Sequence, residues 1–156
     1  MLRLSLLIFA LFSILIATIA HAAVRGTDAK FVGGTVTGIP ENTEGKFDLT
    51  GEESAVFTVK GGQKVVIPYK TIQSLEYGQK AGRRVGVALA VSPLLLLSKK
   101  RKHFLSIAFL DEQGQKQGAV FELAKGVVRS SLSTFETRSG KPIEYESEEA
   151  KKHAGN

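Results

Sequence analysis

From Lys30 to Leu123 apolar and polar positions alternate in short runs, the two-residue period of half-buried strands. Lys30 to Ile39 reads as the first strand, with Phe31, Thr35, Thr37 and Ile39 on one face. Gly33-Gly34 inside it marks a bulge or a close backbone approach. After a turn at Pro40–Gly45 come Lys46–Thr50, Ala55–Val59, Lys64–Tyr69 and Ile72–Tyr77. The two glycines of Lys60-Gly61-Gly62-Gln63 predict a two-residue hairpin. Pro68 has no N–H for a ladder, so its strand ends there or lies at an edge. Phe104–Leu110 and Gly118–Leu123 flank a hairpin loop at Asp111–Gln115.

At Ala124 the period changes. Ala124, Val127, Val128, Leu132 and Phe135 fall on one helical stripe. Gly140 followed by Pro142 stops that helix, and Arg138 suits its last turn. Ile143–Tyr145 adds a last extended piece, and Glu144, Glu146, Glu148 and Glu149 form an acidic tail expected to be frayed and solvated. The whole pattern predicts a mainly β (α+β) domain. It is a small barrel or sandwich of about seven antiparallel strands, capped by a C-terminal helix whose stripe plugs one open end.

One stretch interrupts this regularity. Val85–Ser98 is 14 residues without a charge, clamped between Arg83-Arg84 and Lys99-Lys100-Arg101-Lys102. As one helix it would reach about 21 Å, short of the roughly 20 residues that a bilayer core requires. Ser92-Pro93 divides it into two arms, because proline suits the first turn of a new helix and not the interior of an old one. No helical phase gives Val85–Val91 a polar face, so an apolar helical insert at about 83–98 must be buried all round or sit in lipid. Three readings are open: a cover over the domain core, a wedge dipping into a membrane, or a contact between copies.

Charge sharpens the contrast. Between Glu76 and Asp111 there is no acidic residue, while Lys80, Arg83, Arg84 and Lys99 to Lys102 are all basic. A patch of this kind speaks of partners rather than of fold.

The first 22 residues read as a targeting segment. Arg3 precedes an apolar run from Leu4 to Ala20, and Ala20-His21-Ala22 is an A-x-A cleavage pattern. The expected organisation is a signal peptide over 1–22, a flexible lead over 23–29 and a domain over 30–145 that holds the insert within 79–103. The tail covers 146–156. The apolar run is long enough to leave an uncleaved signal anchor as the alternative. The destination is then the periplasm or the exterior, with membrane association expected. There is no cysteine, so packing and backbone pairing must stabilise this exported domain without disulfides.

Candidate chemistry is sparse. No G-x-G-x-x-G precedes a helix, so Gly33-Gly34 is no nucleotide fingerprint. After cleavage only His103 and His153 remain, poor material for a metal site. His103 lies in a Lys/Arg run with no carboxylate nearby in sequence to orient it, which argues against a nucleophile triad. Glu52-Glu53 and Asp111-Glu112 sit in turns, and Tyr69 and Tyr77 read as strand packing. Nucleic acid is disfavoured by the exported destination and by the absence of aromatics among the cations. The expectation is therefore no enzyme, no catalytic residue, no metal and no cofactor.

Ile67-Pro68-Tyr69 followed by Ile72, Ser74, Leu75 and Glu76-Tyr77-Gly78, after a glycine-turn hairpin and before a terminal helix, resembles bacterial PH-like and GRAM-like domains. The block from Lys102-His103-Phe104 through Val120-Phe121-Glu122-Leu123 is similar to that of small secreted PH-like proteins of unknown function. The resemblance spans Phe31 to Tyr145 and implies a PH-like barrel closed by its last helix. Two features depart from it. The chain has no tryptophan, and the first hairpin loop carries Glu41 and Glu44 where phosphoinositide-binding relatives carry cations. Phosphoinositide binding therefore does not transfer.

Two functional classes follow. The first is a module associating with an anionic membrane surface through Arg83, Arg84, Lys99, Lys100, Arg101 and Lys102, with Leu94, Leu95, Leu96 and Leu97 entering the interface. The second is an interaction module that uses the same patch for a protein partner or for self-association as a homo-oligomer.

Overall fold

The computed structural model describes residues 27–79 and 102–155. The expected signal peptide and the apolar helical insert lie outside the described residues. Seven strands come first: β1 (Thr27–Gly34), β2 (Thr43–Asp48), β3 (Ser54–Val59), β4 (Lys64–Pro68), β5 (Ile72–Gly78), β6 (His103–Leu110) and β7 (Lys116–Leu123). A 3-10 turn at Tyr69–Thr71 joins β4 to β5, and another at Lys125–Val127 leads into α1 (Val128–Ser139). The chain ends with β8 (Ile143–Tyr145) and α2 (Glu148–Ala154).

The strands form one sheet in the order β4-β3-β2-β1-β7-β6-β5-β8. β4 is an edge strand that ends at Pro68, as a residue without an N–H requires. β1 joins the two meanders, pairing with β2 on one side and β7 on the other. Its register slips between Phe31 and Gly33. At Gly34, with φ of 155°, a Cβ would run into the Gly118 carbonyl oxygen. Only glycine allows β1 and β7 to approach this closely.

Sheet and helix close over one core. Phe47 meets Phe121, Phe57 and Phe135 with ring centroids 4.5, 5.3 and 5.7 Å apart. Phe135 also meets Tyr69 at 5.8 Å. Val128, Leu132 and Phe135 of the expected stripe are buried, whereas Ala124 is exposed. Gly140, with φ of 67°, stops the helix and donates its N–H to Glu136.

Four expectations need correction. β1 begins at Thr27 and ends at Gly34, so Thr27–Ala29 are strand and not part of a flexible lead, while Ile39 is buried in the core from the following loop. The β3–β4 loop is Lys60-Gly61-Gly62, three residues and not two: Gly62 N–H donates to Val59 O and Val59 N–H to Gln63 O. The β6–β7 loop repeats this pattern, with Gly114 N–H donating to Asp111 O and Asp111 N–H to Gln115 O. Each is a turn followed by a left-handed glycine, Gly62 at φ 84° and Gly114 at φ 74°, a standard three-residue solution.

The sheet is also not wholly antiparallel. β8 runs parallel to β5, with Ile143 opposite Leu75. A hairpin would impose antiparallel pairing, but the chain reaches β8 from α1. Finally, the acidic tail is folded. Ser147 caps α2 by accepting from Ala150 N–H at 3.1 Å, and Ala150 and Ala154 are buried. Acids at the start and Lys151-Lys152-His153 at the end also match the helix dipole.

Candidate functional site

Of the ten residues expected to make contact, Arg83, Arg84, Leu94, Leu95, Leu96, Leu97, Lys99, Lys100 and Arg101 lie outside the described residues. Lys102 is described, and it is not a free surface cation. Its Nζ donates to Glu122 Oε2 at 2.8 Å, and both side chains are about three-quarters buried. The pair links the entry of β6 to β7.

The residues at either end of the 80–101 connection are tied to distant parts of the chain. Before it, Gln79 N–H donates to Glu146 Oε2 at 2.9 Å, and Glu146 N–H donates to Tyr77 O at 2.9 Å. After it, His103 Nδ1 lies 2.5 Å from the Tyr77 hydroxyl. The two rings lie nearly parallel, with centroids 6.1 Å apart, and Tyr145 meets Tyr77 edge-on from β8.

Protonation states follow from burial. Desolvation, with a smaller contribution from Tyr145, pushes the Tyr77 hydroxyl up to about 12, so it keeps its proton. His103 is held below its ordinary value, first by burial and then by His153 and Lys125, with Glu122 opposing. With the phenol protonated, we assign the neutral tautomer in which Nδ1 accepts from the Tyr77 hydroxyl and Nε2 carries the proton. The hydroxyl that the ring faces is unusually hard to ionise. The pair joins β5 to the entry of β6.

A groove of about 620 Å³ lies where β1, β2, β3 and the end of β7 meet. Its charged rim is mixed: Lys30, Lys46 and Lys60 alternate with Asp28, Glu44 and Glu122. Asp28 and Lys46 are 3.2 Å apart and largely exposed, a pairing of little energetic weight. The groove was not legible in the sequence, because its residues come from four strands.

The carboxylate pairs read as turn residues behave as such where bonds are seen. Asp111 Oδ1 accepts from Gln113 and Gln115 N–H, and Oδ2 accepts from Gln117 Nε2. These bonds hold its carboxyl below the usual range. Among the described residues no group of three or more His, Asp or Glu side chains could hold a metal ion. No described helix is long and apolar enough to cross a membrane. Neither a protein-family model nor a curated protein sequence matches the chain.

Proposed function

We propose that this chain is an exported, non-enzymatic PH-like module that associates with an anionic membrane surface through the cations at the two ends of its 80–101 connection. The order of seven antiparallel strands followed by a terminal helix supports the PH-like assignment. The parallel β8 and the helix α2 are additions to that plan. The observation that carries the functional reading is the separation of charge. All 15 acidic residues of the chain lie in the described domain, whereas Lys80, Arg83, Arg84, Lys99, Lys100 and Arg101 lie together on one connection with none.

Lys102 is engaged with Glu122, so the surface contact rests on the other cations. Each cation near an anionic leaflet contributes about 1 kcal/mol, and the effect decays over a Debye length of about 8 Å at physiological salt. Vesicle co-sedimentation tests this reading. The exported protein should bind phosphatidylserine vesicles at low salt and release with added salt. It should ignore phosphatidylcholine vesicles, and the triple change Lys99→Gln, Lys100→Gln, Arg101→Gln should remove most of the salt-sensitive binding. No binding to anionic vesicles at low salt would replace this reading with that of a protein-binding module.

A further inference from the structure

On β1 and β2 the side chains that face away from the core are charged, and their signs alternate in both directions. Along β1, Asp28 and Lys30 flank Ala29, and along β2, Glu44 and Lys46 flank Gly45. The residues between and beyond them, Ala29, Phe31 and Phe47, belong to the core. Across the strands, Asp28 lies opposite Lys46. Lys30 lies opposite Glu44 on one side and Glu122 of β7 on the other. In the square of Asp28, Lys30, Glu44 and Lys46, each cation therefore has only acids as its neighbours.

Part of this charge is unused within the chain. Asp28 and Lys46 pair with both side chains largely exposed, and Glu122 is held by Lys102. Lys30 and Glu44 stand opposite each other, yet among the described residues neither forms an ion pair. The balance of signs gives a single-signed partner, such as an anionic leaflet or a nucleic acid, no net attraction here. The same face carries the one large apolar side chain that is exposed among the described residues. Val66 of β4 is 43% exposed and stands opposite Val56, two positions along β3 from Thr58, which faces Lys46.

We propose that this face is a contact between two copies of the chain. Charge complementarity is the argument. A two-fold axis in the plane of the contact, running along the strands between β1 and β2, sets Lys30 against the second copy's Glu44 and Lys46 against its Asp28. An axis across the strands sets Lys30 against Asp28 and Lys46 against Glu44. Either way four opposite-charge contacts form and no like charges meet, because a two-fold repeats each contact. Any other protein would have to carry this same alternation, which the chain itself already supplies. Lysine suits such a contact: its apolar stem lies along the groove between the rims while its ammonium reaches the acid beyond. From β3 to β7 the charged face is about 14 Å across, and from Asp28 to Lys30 about 7 Å along. That is smaller than the roughly 800 Å² per partner of a stable interface, so the contact is weak, reversible and sensitive to salt. It rests on the sheet alone and is independent of the reading of the 80–101 connection.

Sedimentation velocity tests the proposal. At low salt the exported protein should pass from monomer towards dimer as its concentration rises to about 1 mM, the range of weak contacts. Physiological salt should cut the dimer severalfold. Lys30→Glu with Lys46→Glu makes the square wholly acidic, and Asp28→Lys with Glu44→Lys makes it wholly basic. Each double variant alone should stay monomeric, and an equimolar mixture of the two should associate more tightly than the parent. A parent that stays monomeric at low salt would leave the face to a different protein and overturn the proposal. So would a variant that dimerises like the parent, a dimer that salt does not weaken, or a mixture that stays monomeric although both variants melt like the parent. Amide NMR of the parent decides the matter without any variant. The signals of Asp28, Lys30, Glu44 and Lys46 should shift with protein concentration, and shifts confined to other strands would overturn the assignment of the face.

Discussion

The Arg138 guanidinium stands over the Tyr69 ring, 5.5 Å from its centroid. The same Nη1 donates to Leu49 O at 2.6 Å and to Gly51 O. One side chain thus fastens the last turn of α1 to the β2–β3 turn and to the 3-10 turn after β4. Arg138→Ala should cost about 1.5–3 kcal/mol, the range for hydrogen bonds to a charged group. Arg138→Lys should recover only part of this, because a point ammonium cannot stack on the ring and reach two carbonyls at once. Urea unfolding of the three proteins measures the series, and equal midpoints would show that the clamp does not hold the helix.

Leu132 tests the docking of the same helix from its apolar side. It is 4% exposed and lies in the core cluster, so Leu132→Ala should destabilise the domain by about 2–5 kcal/mol. An unchanged thermal midpoint would mean that α1 does not close the core.

Which parts of this structure were legible depended on whether a signal was local. The Leu132 and Phe135 stripe, the Gly140 stop and the Gly33-Gly34 irregularity are each written within a few residues, and each is found where the pattern placed it. Pairings across long separations left no such mark. Nothing near Lys102 announces Glu122, and nothing near Gln79 announces Glu146. The tail misled because seven charged and small residues have little helix-forming power of their own; α2 depends on its Ser147 cap and on burying Ala150 and Ala154. The second face of β6 was partly readable. Phe104–Leu110 is almost continuously apolar, which marks a strand covered on both sides rather than one. Of the candidate contact residues, only Lys102 falls among the described residues, and its ion pair depends on the fold.

Ser147 provides a test of the folded tail. Its hydroxyl accepts from Ala150 N–H, and removing such a cap typically costs about 0.5–2 kcal/mol. Because α2 is a short terminal helix, Ser147→Ala should appear first as faster amide exchange at Ala150 and Lys151, with a smaller fall in the global midpoint. Ser147→Asp should restore protection. Exchange in the parent as fast as in an unfolded peptide would mean that the tail is not helical in solution.

The last prediction concerns pH and follows from the 2.5 Å contact between the Tyr77 hydroxyl and His103 Nδ1. His103 is held below its ordinary 6.5 by burial, His153 and Lys125, so the unfolded chain takes up a proton at a higher pH than the folded domain. The stability that neutral His103 contributes is therefore complete above about pH 6.5. It is lost as pH falls through the lowered folded value, where Nδ1 acquires a proton and Tyr77 loses its acceptor. Tyr77 does not titrate in this window, since its hydroxyl sits at about 12. Thermal midpoints between pH 8 and pH 5 should fall on the acid side in the parent. They should fall less in His103→Gln, whose amide oxygen accepts from Tyr77 at every pH. An NMR titration of the His103 ring should give a midpoint below 6.5. A midpoint at or above 6.5, or equal acid sensitivity in His103→Gln, would show that this histidine is not what makes the fold sensitive to acid.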